Sequence, residues 1–88
     1  MPLKNLEIKF TKHATDKLVE RNIEIDDIKN TIMNPDQKTS DRLDESLEHF
    51  TKKIDDKYLR VIGKWESRET LIVISAFYDR RIKRRENK

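Results

Sequence analysis

The residues best suited to proton transfer in this chain are its two histidines, His13 and His49, since an imidazole with an ordinary pKa of about 6.5 can take or give a proton near neutrality. His13 stands near the start of "FTKHATDKLVERNI", where a helix N-terminus would favour the neutral ring. Arg21 follows about two helical turns later, on a similar face, with a guanidinium that can grip a phosphate as a bidentate fork. Ordinary roles compete: capping or surface exposure for His13, and an ion pair with Asp16, Glu20 or Glu24 for Arg21. Arg60 sits in "YLRVIGKW", where Leu59, Val61 and Trp65 point one way and Tyr58, Arg60, Ile62 and Lys64 the other. That second face suits contact with phosphates and bases, and charges that merely block edge pairing are the alternative. His49 faces away from Phe50 and Ile54 and is a lesser candidate.

Further cations close the chain. The segment "DRRIKRRENK" holds Arg80, Arg81, Lys83, Arg84, Arg85 and Lys88 against Asp79 and Glu86, a net of +4. The rest of the chain, with 14 basic and 15 acidic residues, nets −1. Such a segment is the electrostatic footprint of a phosphate-binding arm, although basic tails also aid solubility. Tyr78, just before it, can stack a base beside Arg80 and Arg81, or pack in the core.

These side chains need a scaffold, and 88 residues allow a single core. Charged residues make up 42% of the chain against a usual figure of about 25%, yet the apolar residues follow ordered periods, so a charged surface wraps a small core. Leu6, Ile8 and Phe10 alternate as a strand. Thr11 then caps a helix whose apolar stripe is Ala14, Leu18 and Val19, ending at Arg21-Asn22. Ile25, Ile28, Ile32 and Met33 form the stripe of a second helix, with Asp26 and Asp27 in its first turn and Asn34-Pro35-Asp36 stopping it. Extended runs follow at 37–42, 47–54, 58–65 and 69–78, with turns at Asp55-Asp56 and Glu66-Ser67-Arg68. "LIVISAF" is apolar on both faces, which predicts a central strand covered on each side. The expectation is an α+β domain over 1–79, order β-α-α-β-β-β-β, with both N-terminal helices on one face of a curled, mainly antiparallel sheet, and a basic tail over 80–88.

Several chemistries are poorly served. Without cysteine there is no disulfide or thiolate metal site. No Walker loop or metal-spaced histidine pair occurs, and the single glycine, Gly63, cannot build a phosphate cradle. No metal or cofactor is expected. No run reaches the roughly 18 apolar residues of a membrane span, so a soluble cytoplasmic protein is expected.

"FTKHATDKLVERNIEIDDIKNTIMNPD", "HFTKKIDDKYLRVIGKW" and "LIVISAFYDRR" together resemble the prokaryotic family catalogued as Domain of Unknown Function 4258, over nearly the whole chain. That family is similar to a branch of the RelE/ParE-type toxin superfamily, allied to the barnase, colicin and EndoU-like ribonuclease fold. The resemblance implies a metal-independent endoribonuclease of a toxin-antitoxin system, in which the ribose 2′-OH attacks the phosphate to give a 2′,3′-cyclic phosphate and a 5′-OH. The reading of the residues above then puts His13, Arg21, Arg60, Tyr78 and Arg80 around one cleft as the expected catalytic set, with Lys17, Tyr58, Lys64, Arg81, Lys83, Arg84 and Arg85 as expected nucleic-acid contacts. The implied partners are RNA, free or on the ribosome, and a small antitoxin, with the chain a monomer or small homo-oligomer. A non-catalytic nucleic-acid-binding module, or a toxin-like fold that binds a protein, is the alternative.

Overall fold

The computed structural model describes residues 6–79, and the basic segment from Arg80 onward lies outside the described residues. The first strand, β1 (Glu7–Phe10), is short because Thr11 ends it. The Thr11 hydroxyl accepts a hydrogen bond from the Ala14 N–H at 3.0 Å, satisfying one orphan donor of α1 (Lys12–Glu20), an interaction worth about 1 kcal/mol. At the other end Asn22 takes a left-handed φ of 57°. This lets the Asn22 and Ile23 N–H groups donate back to the Val19 and Leu18 carbonyls at 3.2 and 2.9 Å, while the Ile23 side chain is buried like that of Leu18. The nine-residue helix has one narrow buried face, carrying Ala14 and Leu18. Val19 is therefore not part of the stripe: it is turned about 100° from Leu18 and is 79% exposed.

The second helix, α2 (Ile25–Met33), starts without a side-chain cap but with Asp26 and Asp27 in its first turn. Its buried residues are Ile28, Thr31 and Ile32, and the expected anchor Ile25 is 49% exposed. Thr31 replaces it inside, because its hydroxyl donates to the Asp27 carbonyl at 2.7 Å and so enters the core with no unpaired polar atom.

Four strands follow among the described residues: β2 (Gln37–Ser40), β3 (Leu47–Ile54), β4 (Lys57–Ser67) and β5 (Thr70–Tyr78). The element order is the expected β-α-α-β-β-β-β, and the sheet order is β1-β5-β4-β3-β2. β1 runs parallel to β5 and every other pairing is antiparallel, giving an open mixed sheet. Both helices pack on one face, α1 against β5 and β1, α2 against β3 and β4. Phe50, Leu59, Val61, Leu71, Val73 and Ala76 point into that layer and meet Ala14, Leu18, Ile28 and Ile32.

Two local expectations change. The second hairpin turns at Arg68-Glu69, since β4 continues to Ser67 through a bulge at Glu66. β5 is an interior strand, but the helices cover one of its faces only, leaving Ile72 and Phe77 half-buried on the other. A second bulge skips Ile74, so Val73 and Ala76 both face the core. Among the described residues no helix is long and apolar enough to cross a membrane.

Candidate functional site

The sheet face away from the helices carries the chemistry. Register sets it: Thr39 lies opposite His49 and His49 opposite Ile62, while Arg60 has Thr51 on one side and Phe77 on the other, so these side chains share a face. His49 and Arg60 alternate with buried Phe50, Leu59 and Val61, which fixes them outward.

Four side chains form a continuous polar chain there. The Arg60 Nε–H donates to Asp79 Oδ2 at 3.2 Å, and Nη2 lies 3.1 Å from the same oxygen. Nη1 lies 3.1 Å from His49 Nδ1, and His49 Nε2 lies 2.8 Å from Asp41 Oδ1. A guanidinium has donors only, so Nδ1 must be the acceptor and the proton must sit on Nε2, donated to Asp41. Among the described residues each terminal nitrogen of Arg60 keeps one N–H without a partner. Asp79 is 4% exposed and follows directly on β5, where its backbone N–H donates to the Tyr58 carbonyl at 2.8 Å.

Asp41 also holds the loop after β2. Its Oδ2 accepts the backbone N–H groups of Leu43 and Asp44 at 3.0 and 3.1 Å, while Asp44 Oδ1 accepts the Ser46 N–H and hydroxyl at 3.0 and 2.6 Å. The hydrogen bond from His49, then that from the Leu43 N–H, holds the Asp41 carboxyl below the usual carboxylate range, and the Ser46 hydroxyl lowers Asp44 likewise. The loop presents Arg42 and a 97% exposed Leu43 at the rim of a pocket of 480 Å³, lined also by Thr39, Ser40, Asp41, His49 and Arg60.

The other expected residues distribute between two faces. Tyr58 and Lys64 share the open face with Arg60, opposite Lys53 and Leu47. His13 is exposed on α1, in the helix layer, away from Arg60. Arg21 donates from Nη1 to the Ala76 carbonyl at 2.8 Å, tying the end of α1 to β5. Lys17 pairs with Glu20 at 3.2 Å. Tyr78 packs against the core on the helix side, with Lys57 Nζ 5.0 Å from its ring centre. Burial, then Asp27, Asp55 and Glu24, push its phenol pKa up, so its surroundings are acidic. Arg80, Arg81, Lys83, Arg84 and Arg85 lie outside the described residues. The structure thus brings together Arg60 with His49, Asp41 and Asp79, of which only Arg60 was singled out as catalytic from sequence. The outward parity of His49 was visible beforehand, whereas its pairing with Asp41 needed the β2–β3 register.

Among the described residues no cluster of histidine and carboxylate side chains is placed to hold a metal ion. The fold and site define a small α+β domain with helices on one face of an open mixed sheet and a histidine-arginine-carboxylate pocket on the other. The chain belongs to the family described as Domain of unknown function (DUF4258), which it matches over residues 10–78, from the end of β1 to the end of β5. No curated protein and no solved structure matches the chain.

Proposed function

We propose that this protein is a metal-independent endoribonuclease of the RelE/ParE toxin type, with His49 rather than His13 as its base. The observation that carries the reading is the Asp41–His49–Arg60 chain opening into one pocket. Transesterification of RNA needs a base for the 2′-OH and a cation for charge developing on the phosphate. A phosphate entering the pocket meets the unpartnered Arg60 N–H groups and draws Nη1 off His49. The freed Nδ1 lone pair accepts the 2′-OH proton as the 2′ oxygen attacks phosphorus. Asp41, on Nε2–H, orients the ring and stabilises the imidazolium. The P–O5′ bond breaks, water protonates the departing 5′ oxygen, the hydroxide so formed takes the proton from His49 Nδ1, and a 2′,3′-cyclic phosphate remains. A small antitoxin, a prokaryotic cytoplasmic setting and RNA that is free or on the ribosome belong to the same reading.

Single-stranded RNA incubated in EDTA with wild type, His49→Ala and His13→Ala tests it. Cyclic-phosphate ends are expected from wild type and from His13→Ala, with the rate about 10²- to 10⁴-fold lower in His49→Ala. Cleavage lost in His13→Ala but kept in His49→Ala would move the base to α1. RNA binding without cleavage would leave a non-catalytic nucleic-acid-binding module.

A further inference from the structure

On the helix side of the sheet, beyond the end of the helix layer, lies a second pocket of 500 Å³ lined by Lys38, Glu48, Trp65, Ser67 and Arg68. Register places it on the face opposite Arg60, because Glu48 pairs with Gly63 and Lys38 with Phe50. Trp65 is the chain's one tryptophan and is half-buried, its inner edge against the core. Its indole N–H donates to Glu48 Oε1 at 2.8 Å, so the ring is fixed before any ligand arrives. The bulge at Glu66 follows directly, and the Trp65 backbone N–H donates past the end of β3 to the Ser46 carbonyl at 3.3 Å.

The charges around the ring are unevenly used. Glu48 is engaged by the indole. Lys38 and Arg68, which flank the pocket, have no ion-pair partner among the described residues. An immobilised aromatic ring in a pocket shared with two unpaired cations complements a planar base with its adjacent phosphates. The two cations favour an anionic ligand, and the aliphatic stems of Lys38 and Arg68 extend the apolar surface that the indole offers to a base.

We propose that Trp65, Lys38 and Arg68 form a second nucleic-acid subsite, in which a base of a single-stranded polynucleotide stacks on the indole and its flanking phosphates meet the two cations. The subsite is independent of the cleavage proposed for the opposite face, so either can fail alone.

The single tryptophan reports occupancy directly. Full-length protein is titrated with a 2′-O-methyl oligoribonucleotide of about ten nucleotides, which cannot be cleaved, and with a mononucleotide. The oligonucleotide is expected to quench Trp65 fluorescence saturably, and more weakly as salt rises. Lys38→Glu with Arg68→Glu, and separately Trp65→Ala read by anisotropy of a labelled oligonucleotide, should each weaken binding about tenfold. Binding without quenching, unchanged affinity in both variants, no binding, or a mononucleotide bound as tightly as the oligonucleotide would each overturn the assignment.

Discussion

Arg60 Nη1 lies 3.1 Å from Nδ1 of His49, and that contact decides which nitrogen of the ring carries the proton. The guanidinium cannot accept, so His49 is held as the Nε2–H tautomer between a cation and the Asp41 carboxylate. Nitrogen-15 spectra of wild type should show an unprotonated Nδ1 and a protonated Nε2. Arg60→Ala should mix the two tautomers. A dominant Nδ1–H form in wild type would mean that the pocket is arranged differently and would remove the base proposed here.

The same arginine is structural. Asp79 is almost wholly buried and takes both Arg60 Nε–H and Nη2 on one oxygen. Removing a donor group from a buried carboxylate leaves its desolvation poorly offset, so Arg60→Ala should lower unfolding stability by about 2–3 kcal/mol. Arg60→Lys, which keeps the charge and loses the fork, should fall between the two. Urea unfolding measures both, and an Arg60→Ala midpoint equal to wild type would show that Asp79 draws its compensation elsewhere.

Sequence legibility followed how local each determinant is. Thr11 and Asn22 announce the ends of α1 because capping depends on a residue and its near neighbours. Periodicity located β1, β3, β4 and β5, while β2 carries no apolar alternation, and periodicity misassigned Val19 and Ile25, since which edge of a short helix faces the sheet is set by packing. The pocket was harder still. Arg60 and His49 stood out singly by residue type and strand parity while Asp41 and Asp79 did not, and only the joint register of β2, β3, β4 and β5 makes the four neighbours. His13 looked chemically apt for its position but stands exposed in the helix layer.

Gly63 is required by Leu71. A Cβ at position 63 would lie 2.9 Å from both Cγ and Cδ1 of Leu71, a side chain that is fully buried. Relief would need the leucine or the bulged β4–β5 pairing to shift, so Gly63→Ala should destabilise by about 1–3 kcal/mol. In a domain of this size that is a fall of several degrees in Tm, about 4–8 °C per kcal/mol. Combining it with Leu71→Ala should be less damaging than the sum of the single changes, because the cavity accepts the new methyl. Strict additivity in the thermal melts would contradict the clash.

Asp41 serves His49 through one oxygen and the loop through the other, and the two roles are separable. Its folded pKa is depressed, mainly by the His49 hydrogen bond, so its stabilising contribution is present above the ordinary carboxylate range and lost as pH falls through the lower folded value. Unfolding midpoints of wild type should therefore drop more steeply from about pH 5 to about pH 3 than those of Asp41→Asn. The asparagine oxygen can still accept the Leu43 and Asp44 N–H groups, which predicts near-normal amide-exchange protection in the loop but a disturbed His49 tautomer. Asp41→Ala should lose both. Equal acid sensitivity in wild type and Asp41→Asn, or loop amides that exchange equally fast in the Asn and Ala variants, would show that the carboxylate does not divide its work in this way.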